Sequence, residues 1–125
     1  MRVLIIAKDF PAPGQPRGGV FVLRQAQALA ELGHEIQVVR IVPHAPPWTP
    51  KWRSYRAIPE RYTIEGIAVH SIRAFFPPRM LAMEYLPLQV DGAIRRIIAD
   101  FAPHVLHAHF LIPFGQLAVR QGLPT

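Results

Sequence analysis

Two stretches of this sequence hold residues whose types and spacing could do chemistry. The first is Arg17-Gly18-Gly19, the end of a Pro/Gly-rich loop that opens directly onto an amphipathic segment starting at Val20. A helix start exposes unpaired N–H groups and the positive end of the helix dipole, and adjacent glycines let an anion reach the backbone without meeting a Cβ. Arg17, Gly18 and Gly19 are therefore candidate phosphate-binding residues, with a side chain at Gly19 expected to stand between the amides and the anion. The alternative is a turn that only admits the chain into the helix. The loop lacks the G-x-G-x-x-G spacing, which argues against a dinucleotide enzyme.

The second stretch is His-Val-Leu-His-Ala-His-Phe at 104–110. On a strand, His107 and His109 point to the same face, near the carboxyl end where open α/β sheets bind ligands. An imidazole there could donate or accept a hydrogen bond as charge moves. The spacing also suits a metal, but no carboxylate or third ligand lies nearby, so no metal is expected. A packed structural histidine is the alternative for either residue, and for His107 packing and binding stand level.

Both stretches need a scaffold, and the alternation of patterns supplies one. Residues 2–7 read as a buried strand, and 20–32 as a helix with Val22, Leu23, Ala26, Leu29 and Ala30 on one face, stopped at Gly33. Residues 36–42 are β-branched almost throughout, as in a strand covered on both faces. Five prolines between 43 and 61 exclude regular structure over much of that segment. Tyr62 to Ile72 reads as a hairpin turning at Glu65-Gly66, with its second arm near 67–73. A helix near 90–101 follows, then a strand at 104–110 and a helix over about 114–121. The expectation is an α/β fold: a Rossmann-like parallel sheet flanked by helices. The exit Gly122-Leu123-Pro124-Thr125 prepares a further strand, so 1–125 reads as an incomplete domain of a larger protein.

Composition narrows the class. With 125 residues, half of them hydrophobic and 18% charged, the chain is globular and builds at most one domain. It has no cysteine, no apolar run approaching the roughly 20 residues that span a bilayer, and no signal-peptide pattern, so it reads as cytoplasmic. Fourteen Lys+Arg against eight Asp+Glu give +6, with much of the excess at Lys51, Arg53, Arg56, Arg61, Arg73 and Arg79. Such a surface favours nucleotide diphosphates, anionic lipid or nucleic acid, and charge alone does not choose. No nucleic-acid recognition motif is present, so nucleic acid is not an expected partner. Trp52 and Tyr55 interleave with the bases at 51–56, which suits a solvated loop or an anionic membrane surface.

The opening strand, the Gly18-Gly19 loop, Ala28-Leu29-Ala30-Glu31-Leu32-Gly33-His34-Glu35, and Val105-Leu106-His107-Ala108-His109-Phe110 followed by Pro113 and Gly115 are together similar to a known arrangement. It is the N-terminal domain of the family 4 retaining glycosyltransferases, which have the GT-B fold. Asp9-Phe10-Pro11, Phe21-Val22-Leu23-Arg24-Gln25-Ala26 and Pro43-His44 most resemble members acting in cell-wall polymer or exopolysaccharide assembly. The resemblance implies two Rossmann-like domains facing across a cleft, with the nucleotide-sugar donor held mainly by a C-terminal domain that this chain does not contain. The N-terminal domain would supply the acceptor pocket and the glycine loop that closes on the donor diphosphate. It implies a catalytic-cleft position for His109, beside the transferred sugar. Arg17, Gly18, Gly19 and His107 are then expected substrate-binding residues. No cofactor is implied, the acceptor is a glycan or lipid-linked sugar, and the basic aromatic segment would meet an anionic membrane at its inner face. Two other readings are a nucleotide-sugar epimerase of the same fold and a non-catalytic phosphate-binding fragment.

Overall fold

The computed structural model describes residues 1–13, 18–44, 48, 50, 53–75, 86–109 and 115–125. Nine elements follow one another among these: β1 (Arg2–Ala7), α1 (Val20–Glu31), β2 (Glu35–Pro43), α2 (Arg53–Arg56), β3 (Arg61–Ile64), β4 (Ile67–Ala74), α3 (Leu86–Phe101), β5 (Val105–Ala108) and α4 (Gln116–Val119). The strands form one sheet in the order β3-β4-β2-β1-β5. β4, β2, β1 and β5 run parallel, and β3 is antiparallel at the edge. That edge strand is the first arm of the expected hairpin. Its turn puts Glu65 at φ 47 and Gly66 at φ 84, the pair of positive angles that a two-residue turn needs to match strand twist.

Alternation along β1 sorts the core onto two faces. Leu4 and Ile6 pack with Val39, Ile41, Val90 and Ile94 under α3 and α4. Val3, Ile5 and Ala7 pack with Val22, Leu23 and Ala26 under α1. Five consecutive buried residues, 3 to 7, are what a central parallel strand with helices on both faces requires. Each fully buried aliphatic side chain contributes about 1.5–3 kcal/mol, which makes this sandwich the frame of the domain.

The elements differ from the expected boundaries most in four places, one being β5, which spans Val105–Ala108 and leaves His109 just past the strand instead of within the expected 104–110. α3 begins at Leu86 and takes Pro87 into its first turn, where the missing N–H has no partner to lose. The proline-rich stretch holds one helical turn, α2, and Arg73 clasps its far end by donating to the carbonyls of Tyr55, Arg56 and Ile58. α4 is only a turn long, shorter than the expected 114–121, and is tied to α3 by a salt bridge from Arg120 to Asp91 at 2.6 Å, with Gln121 donating to the same carboxylate at 3.1 Å. Beyond α4 the chain returns along β5, whose Leu106 N–H donates to the Pro124 carbonyl at 2.8 Å.

Candidate functional site

The chain leaves β1 for β2 and then β4 on one side, and comes back to place β5 on the other side of β1. Such a reversal opens a crevice beyond the carboxyl ends of the two strands, because the loops that leave them turn to opposite faces. Two features flank this crevice: the start of α1, which follows β1, and the residues that end β5.

α1 starts with Gly19 at its N-cap, in the left-handed conformation (φ 69, ψ 26), with no side-chain cap and no acidic residue in the first turn. The Gly19 carbonyl accepts from Val22 and Leu23 at 3.0 and 3.3 Å, so the helix ladder begins at Val22 and the Val20 and Phe21 N–H groups precede it. A helix of twelve residues left uncapped presents those groups and its dipole to an anion. Gly18 and Gly19 differ in what they exclude. A Cβ on Gly19 would press into the backbone of Asp9 and lie 2.7 Å from the Phe10 nitrogen, whereas a Cβ on Gly18 meets nothing within 4 Å among the described residues. The expectation that a Gly19 side chain would stand between the amides and a ligand is therefore corrected. Glycine at 19 is demanded by the loop behind it and by the positive φ, and Gly18 is the position that opens outward. Arg17 lies outside the described residues.

On β5 the register sets Leu106 and Ala108 under α3 and α4 and turns Val105 to the α1 face. His107 and His109 share that α1 face, their rings stacked with centroids 4.8 Å apart and planes 12° from parallel. The His109 N–H donates to the Ile6 carbonyl at 3.0 Å, fixing this residue at the top of β1, and its ring meets Phe21 edge-on at 5.8 Å. Phe21 belongs to the first turn of α1, so the helix start and the histidine pair form one cluster. The His109 Nε2 is buried and has no hydrogen-bond partner among the described residues. Burial, and then the neighbouring His107, lower its pKa below the ordinary 6.5. An imidazole held neutral keeps one nitrogen able to accept and one able to donate, and a buried polar atom without a partner costs about 1–3 kcal/mol.

Beneath the loop that follows β1 lie residues whose part the sequence reading missed. Arg40 of β2 is 1% exposed and donates to the carbonyls of Phe10 at 2.8 Å and Lys8 at 3.2 Å. Tyr62 donates to the Pro11 carbonyl at 3.0 Å, and Arg40 in turn hydrogen-bonds the Tyr62 oxygen. The available signal was an arginine between the apolar pairs Val38-Val39 and Ile41-Val42, where a charge must find partners.

A groove of about 420 Å³ beside β5, lined by Val3, Leu29, Val105, His107 and Thr125 among others, adjoins the cluster on the α1 face. A larger concavity of about 550 Å³ lies between β4 and α3, lined by Arg61, His70 and Arg96 among others, and shares no residue with the crevice. The topology, the uncapped helix and the unpartnered imidazole all point to the crevice. Among the described residues no group of three or more His, Cys, Asp or Glu could hold a metal ion, and no helix is long and apolar enough to cross a membrane. Of the basic residues at 51–56, Arg53 and Arg56 are on α2, while Lys51 and Trp52 lie outside the described residues.

Comparison with known proteins agrees with this geometry. The family described as "Glycosyl transferase 4-like domain" matches residues 18–125. A protein of Bacillus subtilis (strain 168) named "Putative teichuronic acid biosynthesis glycosyltransferase TuaC" is 31% identical over 126 aligned residues, covering 94% of this chain and 32% of its own. The chain thus spans about a third of the length of that curated relative.

Proposed function

The chain belongs to the glycosyl transferase 4-like family, and on that premise we propose that it is the N-terminal, acceptor-side half of a two-domain retaining glycosyltransferase. The whole enzyme moves a sugar from a nucleoside diphosphate donor to a glycan or lipid-linked acceptor of cell-wall polymer assembly. The donor is held mainly by a C-terminal domain. One observation carries the proposal: the uncapped start of α1 and the unpartnered imidazole of His109 meet through Phe21 at the crevice.

Each part has a role in transfer. The first-turn amides of α1, reached past Gly18, meet the donor diphosphate and the charge that grows on it as the glycosidic bond breaks; Arg17 adds a guanidinium to the same anion. His109 hydrogen-bonds the transferred sugar, exchanging an unmet bond inside the protein for one to substrate. His107 steadies that ring by stacking and borders the acceptor groove. Helix ends and basic side chains meet the phosphate charge, so the reading needs neither metal nor cofactor. The relative's name points to an anionic cell-wall glycan as the product class. Exposed Trp48, Phe75 and Leu88, with the arginines of α2, fit peripheral contact with an anionic membrane on its cytoplasmic side.

The test is transfer by the full-length enzyme from a panel of nucleotide sugars to lipid-linked and soluble glycans, with the product anomer read by NMR. The expected product keeps the anomeric configuration of the donor. An inverted product overturns retention, and no transfer from any donor overturns the enzyme reading.

A further inference from the structure

We propose that Arg40, remote from the crevice surface, is the positioning residue that sets the anion-facing start of α1. This rests on the reading of that helix start as the donor phosphate site. Residues 8–11 leave β1 outside the strand ladder, so their carbonyls need donors from elsewhere. The carbonyls of Lys8 and Phe10 are held by Arg40, and that of Pro11 by Tyr62. The intervening Asp9 carbonyl faces the other way, against Gly19, where even a Cβ finds no room. The chain of contact therefore runs from a guanidinium fixed in the sheet, through two carbonyls, to the one residue whose backbone angle starts the helix. Phe10 and Ala12, 0% and 1% exposed, seal the loop from water and hold it to that geometry.

The chemistry explains why this position is arginine. A planar fork of five donors can serve two carbonyls and a phenol at fixed spacing, while a lysine ammonium is a single compact point on a flexible stem. An aliphatic side chain would pack in the same strand but leave two carbonyls without donors. A charge buried among Val38, Val39, Ile41 and Val42 of β2 is costly, and the segment it holds is the one on which Gly19 leans.

The experiment uses the full-length enzyme and the tightest binder among UDP, GDP, ADP, CDP and dTDP. Arg40→Lys should weaken that nucleoside diphosphate about tenfold per folded molecule, since displacement of a positioned group by a fraction of an ångström is felt strongly. The acceptor KM should stay unchanged. Tyr62→Phe, which removes only the Pro11 anchor, should weaken it less and keeps the question open to measurement if Arg40→Lys does not fold. Gly18→Val separates this inference from the reading beneath it. If Gly18→Val weakens the nucleoside diphosphate while folded Arg40→Lys, or folded Tyr62→Phe in its place, binds it like the parent, Arg40 is only a structural clasp and the inference falls alone. If Gly18→Val also binds normally, the phosphate-site reading falls and takes the inference with it.

Discussion

At His109 the backbone is fixed while the side chain is left wanting: the N–H is bonded to Ile6, yet Nε2 is buried without a partner among the described residues. Removing that imidazole removes an unmet polar atom along with its stacking. We therefore expect His109→Ala in the full-length enzyme to lower turnover by about 10² or more with only a small fall in melting temperature. His107→Ala should cost stability at least as much as activity. Melts and turnover on the same preparations check both, and a His109→Ala protein that is fully active, or that unfolds, removes the assignment. The lowered pKa carries a second expectation, for which the sign is set by linkage. Above about pH 6.5 the group is neutral in both folded and unfolded chains and contributes no pH dependence. As pH falls below that value the unfolded chain takes up the proton first, so stability is lost down to the depressed folded-state pKa. His70 is shifted the same way, by burial and then by Arg61. Melting temperature should decline from pH 7.5 to 5.5, less so in His109→Gln and least in the His70→Gln, His109→Gln double variant. An undiminished decline in the double variant removes these histidines as its cause.

At the scale of elements, the start of α1 shows what sequence can and cannot carry. Strand, glycine loop, helix and the facing of His107 and His109 were all readable, because a strand buried on both faces and a 3.6-residue apolar period leave plain marks. The division of labour between the two glycines was not. It depends on Asp9, ten residues earlier in the chain, folding back against Gly19. The start of α3 was also hidden, since a proline in a first turn looks like a breaker until the helix around it is seen. These contacts give opposite expectations for the neighbours. Gly19→Val forces a β-branched residue into positive φ and into the Asp9 backbone, and should destabilise the domain by at least about 1–3 kcal/mol. Gly18→Val meets open space and should leave the melting temperature within a degree or two while weakening nucleoside diphosphate binding. Denaturation and calorimetry on both variants decide it, and equal stability loss at the two positions would count against the geometry of the loop.

For the whole molecule, the sheet order places the candidate site at its only reversal among the described strands, between β1 and β5. The order could not be read from the sequence, because strands 2–7, 36–42 and 67–73 have similar apolar patterns and nothing local says which neighbour each takes. Arg40 was missed for a related reason: its partners are carbonyls, which every residue has, so no motif announces them. Among the described residues the crevice has one wall, formed by α1 and the end of β5. Transfer requires the anomeric carbon, the leaving phosphate and the acceptor to be held together, and such positioning is worth several kcal/mol of the barrier. The described residues offer the diphosphate a helix start and the sugar one imidazole, and this reading gives the remaining contacts to the second domain. The isolated 125-residue chain should therefore be folded by circular dichroism and yet transfer no sugar to any acceptor. Incubating it with a panel of nucleotide sugars and lipid-linked acceptors reads this directly. Robust turnover by the isolated chain would mean that the crevice between β1 and β5 holds a complete site, and that the second wall is not needed.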